Sequence, residues 1–119
     1  MAKRVMEVNI KAGMPALAEA RERLIGRIGE AQRSGTGVLK IIHGYGSSGV
    51  GGKLRTALRK TLERLLSEGR LRCVIPGERW DIFDPATQGL LGLYAELSGD
   101  EDLGKQNPGI TSIELRRKG

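Results

Sequence analysis

A chain of 119 residues and 12.9 kDa is long enough for one domain and too short for two independent cores. Its 20 Lys and Arg against 14 Asp and Glu leave a net charge of +6, which hints at an anionic partner. The single cysteine, Cys73, excludes an internal disulfide framework and a Cys-cluster zinc site. No run approaches the roughly 18 apolar residues that a membrane helix needs. The opening stretch MAKRVMEVNIKAG has no continuous apolar segment of the kind a signal peptide carries. The expectation is one cytoplasmic domain over residues 1–119, with no membrane association, no cofactor and no metal.

In chain order, Val5 to Ile10 alternates as a strand, with Val8 and Ile10 on one side and Asn9 on the other. Gly13 breaks it, and Pro15 suits the first turn of a helix. Leu17, Ala20, Leu24, Ile28 and Ala31 repeat at three and four residues and mark one buried helical face. Gly26 and Gly29 weaken that helix by about 1 kcal/mol each relative to Ala, which suggests close packing there. Ser34 to Gly37 ends it. Val38 to Ile42 is short, β-branched and bounded by glycines, so it reads as a mostly buried strand.

His43 closes that strand, and five glycines follow within residues 44–52. A second helix is expected from about Lys53 to Ser67, with Leu54, Ala57, Leu58, Leu62, Leu65 and Leu66 turned inward and Gly69 as its C′ residue. Leu71 to Ile75 reads as a third strand ended by Pro76-Gly77. Asp84-Pro85 looks like a cap and first-turn proline for a short helix that includes Leu90, Leu91, Leu93, Tyr94 and Leu97. Residues 98–108 are polar and loop-like. Ile110 to Leu115 alternates as a final strand, followed by Arg116, Arg117 and Lys118. Alternation of strands and helices favours an α/β sheet with helices packed on it.

The charge is unevenly placed. Residues 53–72 carry a local +5 and residues 81–107 a local −5. The basic segment directly follows a strand–glycine turn–helix arrangement, which is suited to anions. Glycines let the backbone approach a ligand, and a helix start offers free N–H groups. A P-loop is excluded, because Ser47 stands where its first glycine belongs and Leu54 where its hydroxyl belongs. The run Gly44-Tyr45-Gly46-Ser47-Ser48-Gly49 fits the spacing of a dinucleotide fingerprint, but the acidic residue required after the next strand is missing. His43 is the only histidine and ends a central strand, where open α/β sheets place functional residues. It suits acid–base work or a bond to phosphate, and the plainer reading is a histidine hydrogen-bonded within the turn.

The stretch Ile41-Ile42-His43-Gly44-Tyr45-Gly46-Ser47-Ser48-Gly49, followed by Gly52-Lys53-Leu54-Arg55, resembles the core signature of the Smr (small MutS-related) domain. The likeness covers residues 5–75 and 109–116. It implies a two-layer α/β sandwich with a four-stranded mixed sheet and two main helices, similar to the C-terminal domain of bacterial translation initiation factor three. It also implies nucleic-acid binding and, in several members, DNA nicking or RNA endonuclease activity. The motif histidine falls on His43, its glycines on Gly44 and Gly46, and its Leu-Arg pair on Leu54 and Arg55. Two departures stand out. Where many members carry an acidic residue and a histidine on the first strand, this chain has Asn9 and Lys11. The connection over residues 77–108 is longer than usual.

The leading expectation is therefore a domain that binds DNA or RNA. Gly44, Gly46, Ser47, Ser48 and Gly49 would hold a phosphate, Lys11, Lys53, Arg55 and Arg59 would contact neighbouring phosphates, and Tyr45 would stack on a base or sugar. One aromatic near the loop does not support sequence-specific readout. The second expectation is an endonuclease with His43 as tentative general acid or base and Lys53 or Arg55 stabilising the transition state. The third is an adaptor that docks a protein through the acidic segment 81–102, with Trp80, Phe83 and Tyr94 as anchors.

Overall fold

The computed structural model describes residues 4–13, 15–45 and 50–116. The elements run β1 (Val5–Asn9), α1 (Leu17–Arg33), β2 (Val38–Ile42), α2 (Val50–Ser67), β3 (Leu71–Pro76), a short 3-10 turn (Gly77–Arg79), α3 (Pro85–Leu93), a second 3-10 turn (Ala95–Gly99) and β4 (Ile110–Leu115). The four strands form one mixed sheet in the order β1-β2-β4-β3. β1 lies parallel to β2, and β4 is antiparallel to both β2 and β3. The last strand in sequence is thus a central strand in space.

Helices α1 and α2 cover one face of this sheet. Ala20, Leu24, Ile28 and Ala31 of α1 meet Leu58, Leu62 and Leu65 of α2 over Val8, Leu39, Ile41, Ile113 and Leu115. Leu17, expected on the buried stripe, is 38% exposed and lies outside this core. It occupies the first turn, before α1 reaches the sheet. Gly26 has open space around it, so close packing does not account for that glycine. Both helices stop in the same way. Gly35 and Gly69 take positive φ. Thr36 and Arg70 then donate to the carbonyls of Ala31 and Leu65, completing the 6→1 bond of a Schellman stop. Helix α2 begins at Val50, three residues before the expected Lys53.

The long connection covers the opposite face. Trp80, Leu90 and Leu97 pack on Val38, Ile75 and Ile110, with Val5, Ile42 and Tyr94 at the margin. Asp84 caps α3 by accepting from the Thr87 N–H at 2.9 Å, and Pro85 occupies its first turn. A charged side chain of β2 lies beneath this cover. Lys40 of β2 is 4% exposed. Its ammonium pairs with Asp100 at 3.0 Å, with Asp102, and with Glu7 at 3.9 Å. Asp100 also accepts from the Trp80 indole N–H at 3.0 Å. The connection is therefore clasped to the sheet by an ion cluster as well as by apolar contact. Among the described residues no helix is long and apolar enough to cross a membrane.

Candidate nucleic-acid interface

The site forms where β1 and β2 end and α2 begins. Each contributing side chain is placed by a short-range constraint. Asn9 accepts from the Lys11 N–H at 3.0 Å, an Asx-type turn that bends the chain out of the sheet. Arg23 of α1 donates to the carbonyls of Ile10 and Ala12 at 3.2 and 2.8 Å and fixes that bend from below. The Lys11 side chain then runs alongside Gly44. A Cβ added at Gly44 would lie 3.4 Å from the Lys11 Cδ, and Gly44 has φ +77°. The glycine thus serves both the left-handed turn and the approach of the lysine stem.

The turn after β2 is tied to the start of β4. His43 and Gly44 both donate their backbone N–H to the Gly109 carbonyl at 3.0 Å. Tyr45 is 54% exposed. Its ring edge packs beside Gly109, 3.2 Å from where a Cβ would stand. Gly46, Ser47, Ser48 and Gly49, named from the sequence as the phosphate cradle, lie outside the described residues. So do Arg117 and Lys118 of the basic tail.

His43 lies on the helix-covered face and is 1% exposed. Its Nδ1 is 2.8 Å from the Gly44 carbonyl oxygen, and its Nε2 is 2.8 Å from the Thr111 hydroxyl. A carbonyl only accepts, so Nδ1 carries the proton and Nε2 accepts from Thr111. The same Thr111 oxygen accepts from the Arg59 Nε–H at 3.1 Å. Arg59 goes on to a two-pronged pair with Glu78, at 2.9 and 2.7 Å. It also donates to the carbonyls of Pro108 and Ile110 at 3.2 and 3.0 Å. Every donor in this chain finds one acceptor, from Arg59 through Thr111 and His43 to Gly44. Burial, reinforced by the positive charges of Arg59 and Arg55, pushes the His43 pKa down to about 4. The imidazole is neutral at physiological pH. The bond from Arg59 holds the Glu78 carboxyl below the usual range.

The predicted residues therefore divide into two groups. Lys11, Gly44 and Tyr45 share the turn, and Arg55 is close enough to depress the His43 pKa. Lys53 is exposed in the first turn of α2, which has no acidic residue. Arg59, expected at a phosphate surface, is engaged internally by Glu78 and two carbonyls. Its neighbours Arg55, Thr56, Lys60 and Glu63 line a shallow cleft of about 430 Å³ beside it. His43 holds the turn and offers no free ring nitrogen.

Thr111, Glu78 and Gly109 were not singled out from the sequence. One signal pointed toward Thr111: Thr and Ser sit in the middle of the alternating final strand, which the structure buries along its whole length. Buried hydroxyls require partners, although a sequence does not say which.

The acidic segment is also largely committed. Asp100 and Asp102 turn inward to Lys40, Asp84 caps α3, and Asp81 accepts from the Phe83 and Asp84 N–H groups. Trp80 is core, whereas Phe83 is 84% exposed. Among the described residues no group of three or more His, Cys, Asp or Glu is placed to hold a metal ion.

Comparison with known proteins agrees with this architecture. The family model for the Smr domain matches residues 13–73, just over half of the chain. The crystal structure of the Smr domain of Thermus thermophilus MutS2 superposes with a TM-score of 0.58 at 22% sequence identity. That match covers 93% of this chain and 98% of the other, and at such identity the likeness is one of fold. No curated protein sequence matches.

Proposed function

The chain belongs to the Smr domain family, and on that premise we propose that it is a nucleic-acid-binding domain that grips the sugar–phosphate backbone. One observation carries the reading. Lys11 lies along Gly44, which places a cation from the β1–α1 turn beside the turn that leads into α2. That helix start brings Lys53 and Arg55 and no opposing carboxylate in its first turn. Three cations, backbone N–H groups of a helix start and one exposed tyrosine form a surface for phosphates and a stacked base. Gly46 to Gly49 belong to the same proposed surface.

Binding is favoured over cleavage by the state of His43. A general base needs a nitrogen within reach of the proton it takes, and both nitrogens here have partners inside the fold. The residue is better suited to keeping the turn in shape. Asn9, with its side chain closing the bend to Lys11, supplies no carboxylate to activate water.

The test is fluorescence anisotropy with single-stranded RNA and duplex DNA at increasing salt. With three phosphate contacts, affinity is expected to fall roughly 20- to 40-fold between about 50 and 200 mM salt. Lys11→Ala and Arg55→Ala are each expected to reduce the salt slope by about one contact. Salt-independent binding, or variants with an unchanged slope, would reject the proposal. Cleavage of either substrate by the wild type but not by His43→Ala would transfer the role to catalysis.

A further inference from the structure

A second concentration of positive charge lies at the other end of the sheet and on its other face. A cleft of about 610 Å³ opens there between the start of β1, the turn before β2, the first residues of β3 and the end of β4. Its volume is within the range of roughly 300–1,000 Å³ typical of small-molecule sites. Arg4, Arg72, Arg116, Tyr94 and Glu114 supply its polar lining. Tyr94 forms a rigid wall, because its ring sits where a Cβ on Gly37 would be and the Arg4 guanidinium lies 5.0 Å above the ring centroid.

The cations are not neutralised within the cleft. Arg72 stands at the register shift between Leu71 and Cys73, where a bulge redirects a side chain. It is exposed and makes no ion pair with any described residue. Arg116 donates to one backbone carbonyl, that of Gly69, at 3.0 Å. Only Arg4 has a carboxylate partner, Glu96, outside the cleft lining at 3.5 Å.

Glu114 has the opposite need. It is 9% exposed on the central strand β4 and has no hydrogen-bond donor or cation partner among the described residues. No side-chain polar atom sealed from solvent lacks a partner among those residues, so the Glu114 oxygens open into the cleft. A nearly buried carboxylate of this kind calls for a donor, and none of the lining arginines supplies it.

We propose that this cleft binds a small phosphorylated ligand of nucleoside monophosphate size. Its phosphate sits on Arg72 and Arg116, and a hydroxyl or amino group of the same molecule donates to Glu114. A nucleic-acid strand fits less well, because its successive phosphates would face the Glu114 carboxylate. Neither Lys11 nor Arg55 takes part, so this site stands or falls independently of the surface at the His43 turn.

The test is isothermal titration with adenosine 5′-monophosphate as the probe and inorganic phosphate as the donor-free control. The nucleotide is expected to bind one to one and phosphate about tenfold more weakly or worse, the difference expected for one charge-assisted hydrogen bond. Arg72 is exposed, so Arg72→Met leaves the fold intact, and it is expected to weaken the nucleotide by about tenfold. Arg55→Ala is expected to leave nucleotide affinity unchanged. The absence of saturable binding, or equal binding by Arg72→Met and wild type, would overturn the site. Phosphate binding as tightly as the nucleotide would refute the role of Glu114. Loss of RNA affinity in Arg72→Met without loss of nucleotide affinity would make the cleft a second nucleic-acid contact and overturn the small-ligand reading.

Discussion

His43 has a residue type suited to proton transfer and surroundings that suppress it. Burial and two nearby guanidinium groups hold its pKa near 4, while an unfolded histidine titrates near 6.5. Above about pH 6.5 both states are neutral and the residue contributes no pH dependence. Between 6.5 and 4 the unfolded chain takes up a proton that the folded chain refuses, so stability falls with pH and levels off below 4. The expected loss from pH 7 to pH 5 is about 2 kcal/mol. Urea denaturation over that range measures it, and His43→Gln should flatten the curve. Glu78 and Asp102, whose pKa values are held low, destabilise the fold only at more acid pH, which leaves the window to the histidine. A His43→Gln curve as steep as the wild type would mean that other groups cause the slope. The importance of the turn at His43 was legible from its glycines and its place after a strand. The network around it was not, because Thr111 and Glu78 lie 68 and 35 positions along the chain and reach it, Glu78 by way of Arg59, only through the order of the strands.

The elements show where glycine is needed and where it is merely present. In α1, a Cβ at Gly26 meets nothing within 4 Å, so Gly26→Ala is expected to stabilise the fold by about 1 kcal/mol through helix propensity. Gly77 follows β3, and a Cβ there would strike the backbone oxygen of Asn107 and lie 2.7 Å from a side-chain carbon of Ile110. Gly77→Ala is expected to cost at least about 2 kcal/mol, since backbone rather than a flexible side chain must yield. Thermal denaturation of the two variants should move in opposite directions. The clasp of the connection makes a separate prediction. Burial disfavours the Lys40 charge, yet the bonds it donates to Asp102 and Asp100 outweigh that and raise the pKa. Lys40→Met strands two carboxylates and should destabilise by about 3 kcal/mol, with Asp100→Asn and Asp102→Asn recovering most of that loss. Chemical denaturation of the single and triple variants separates those terms. Periodicity identified the two main helices and all four strands, because each is amphipathic or wholly apolar. It could not show that the polar stretch 98–108 returns over the sheet, since the attraction there is an ion pair between residues about 60 apart in sequence.

On the scale of the molecule, the net +6 resolves into separate charged regions. The acidic segment largely satisfies the protein's own needs: Lys40, the start of α3 and the turn before it. Cations are left at opposite ends of the sheet, around Lys11, Lys53 and Arg55 at one and around Arg72 and Arg116 at the other. The five-residue β2 separates those ends by roughly 17 Å. The nucleic-acid salt slope should therefore respond to the first group and be indifferent to the second. Strand order carries a further consequence, one of time rather than space. β3 has no neighbour in the sheet except β4, and β4 follows every other described element in chain order. A chain emerging from the ribosome can pair β1 with β2 and lay α1 and α2 on them, but β3 has no strand to pair with until residues 110–115 arrive. Until then the edge of β2 stands open to the strands of other nascent chains. The six-residue β4 closes that edge, and Gly109 just before it holds the His43 turn, so shape and binding surface should appear together once residues 109–115 have been made.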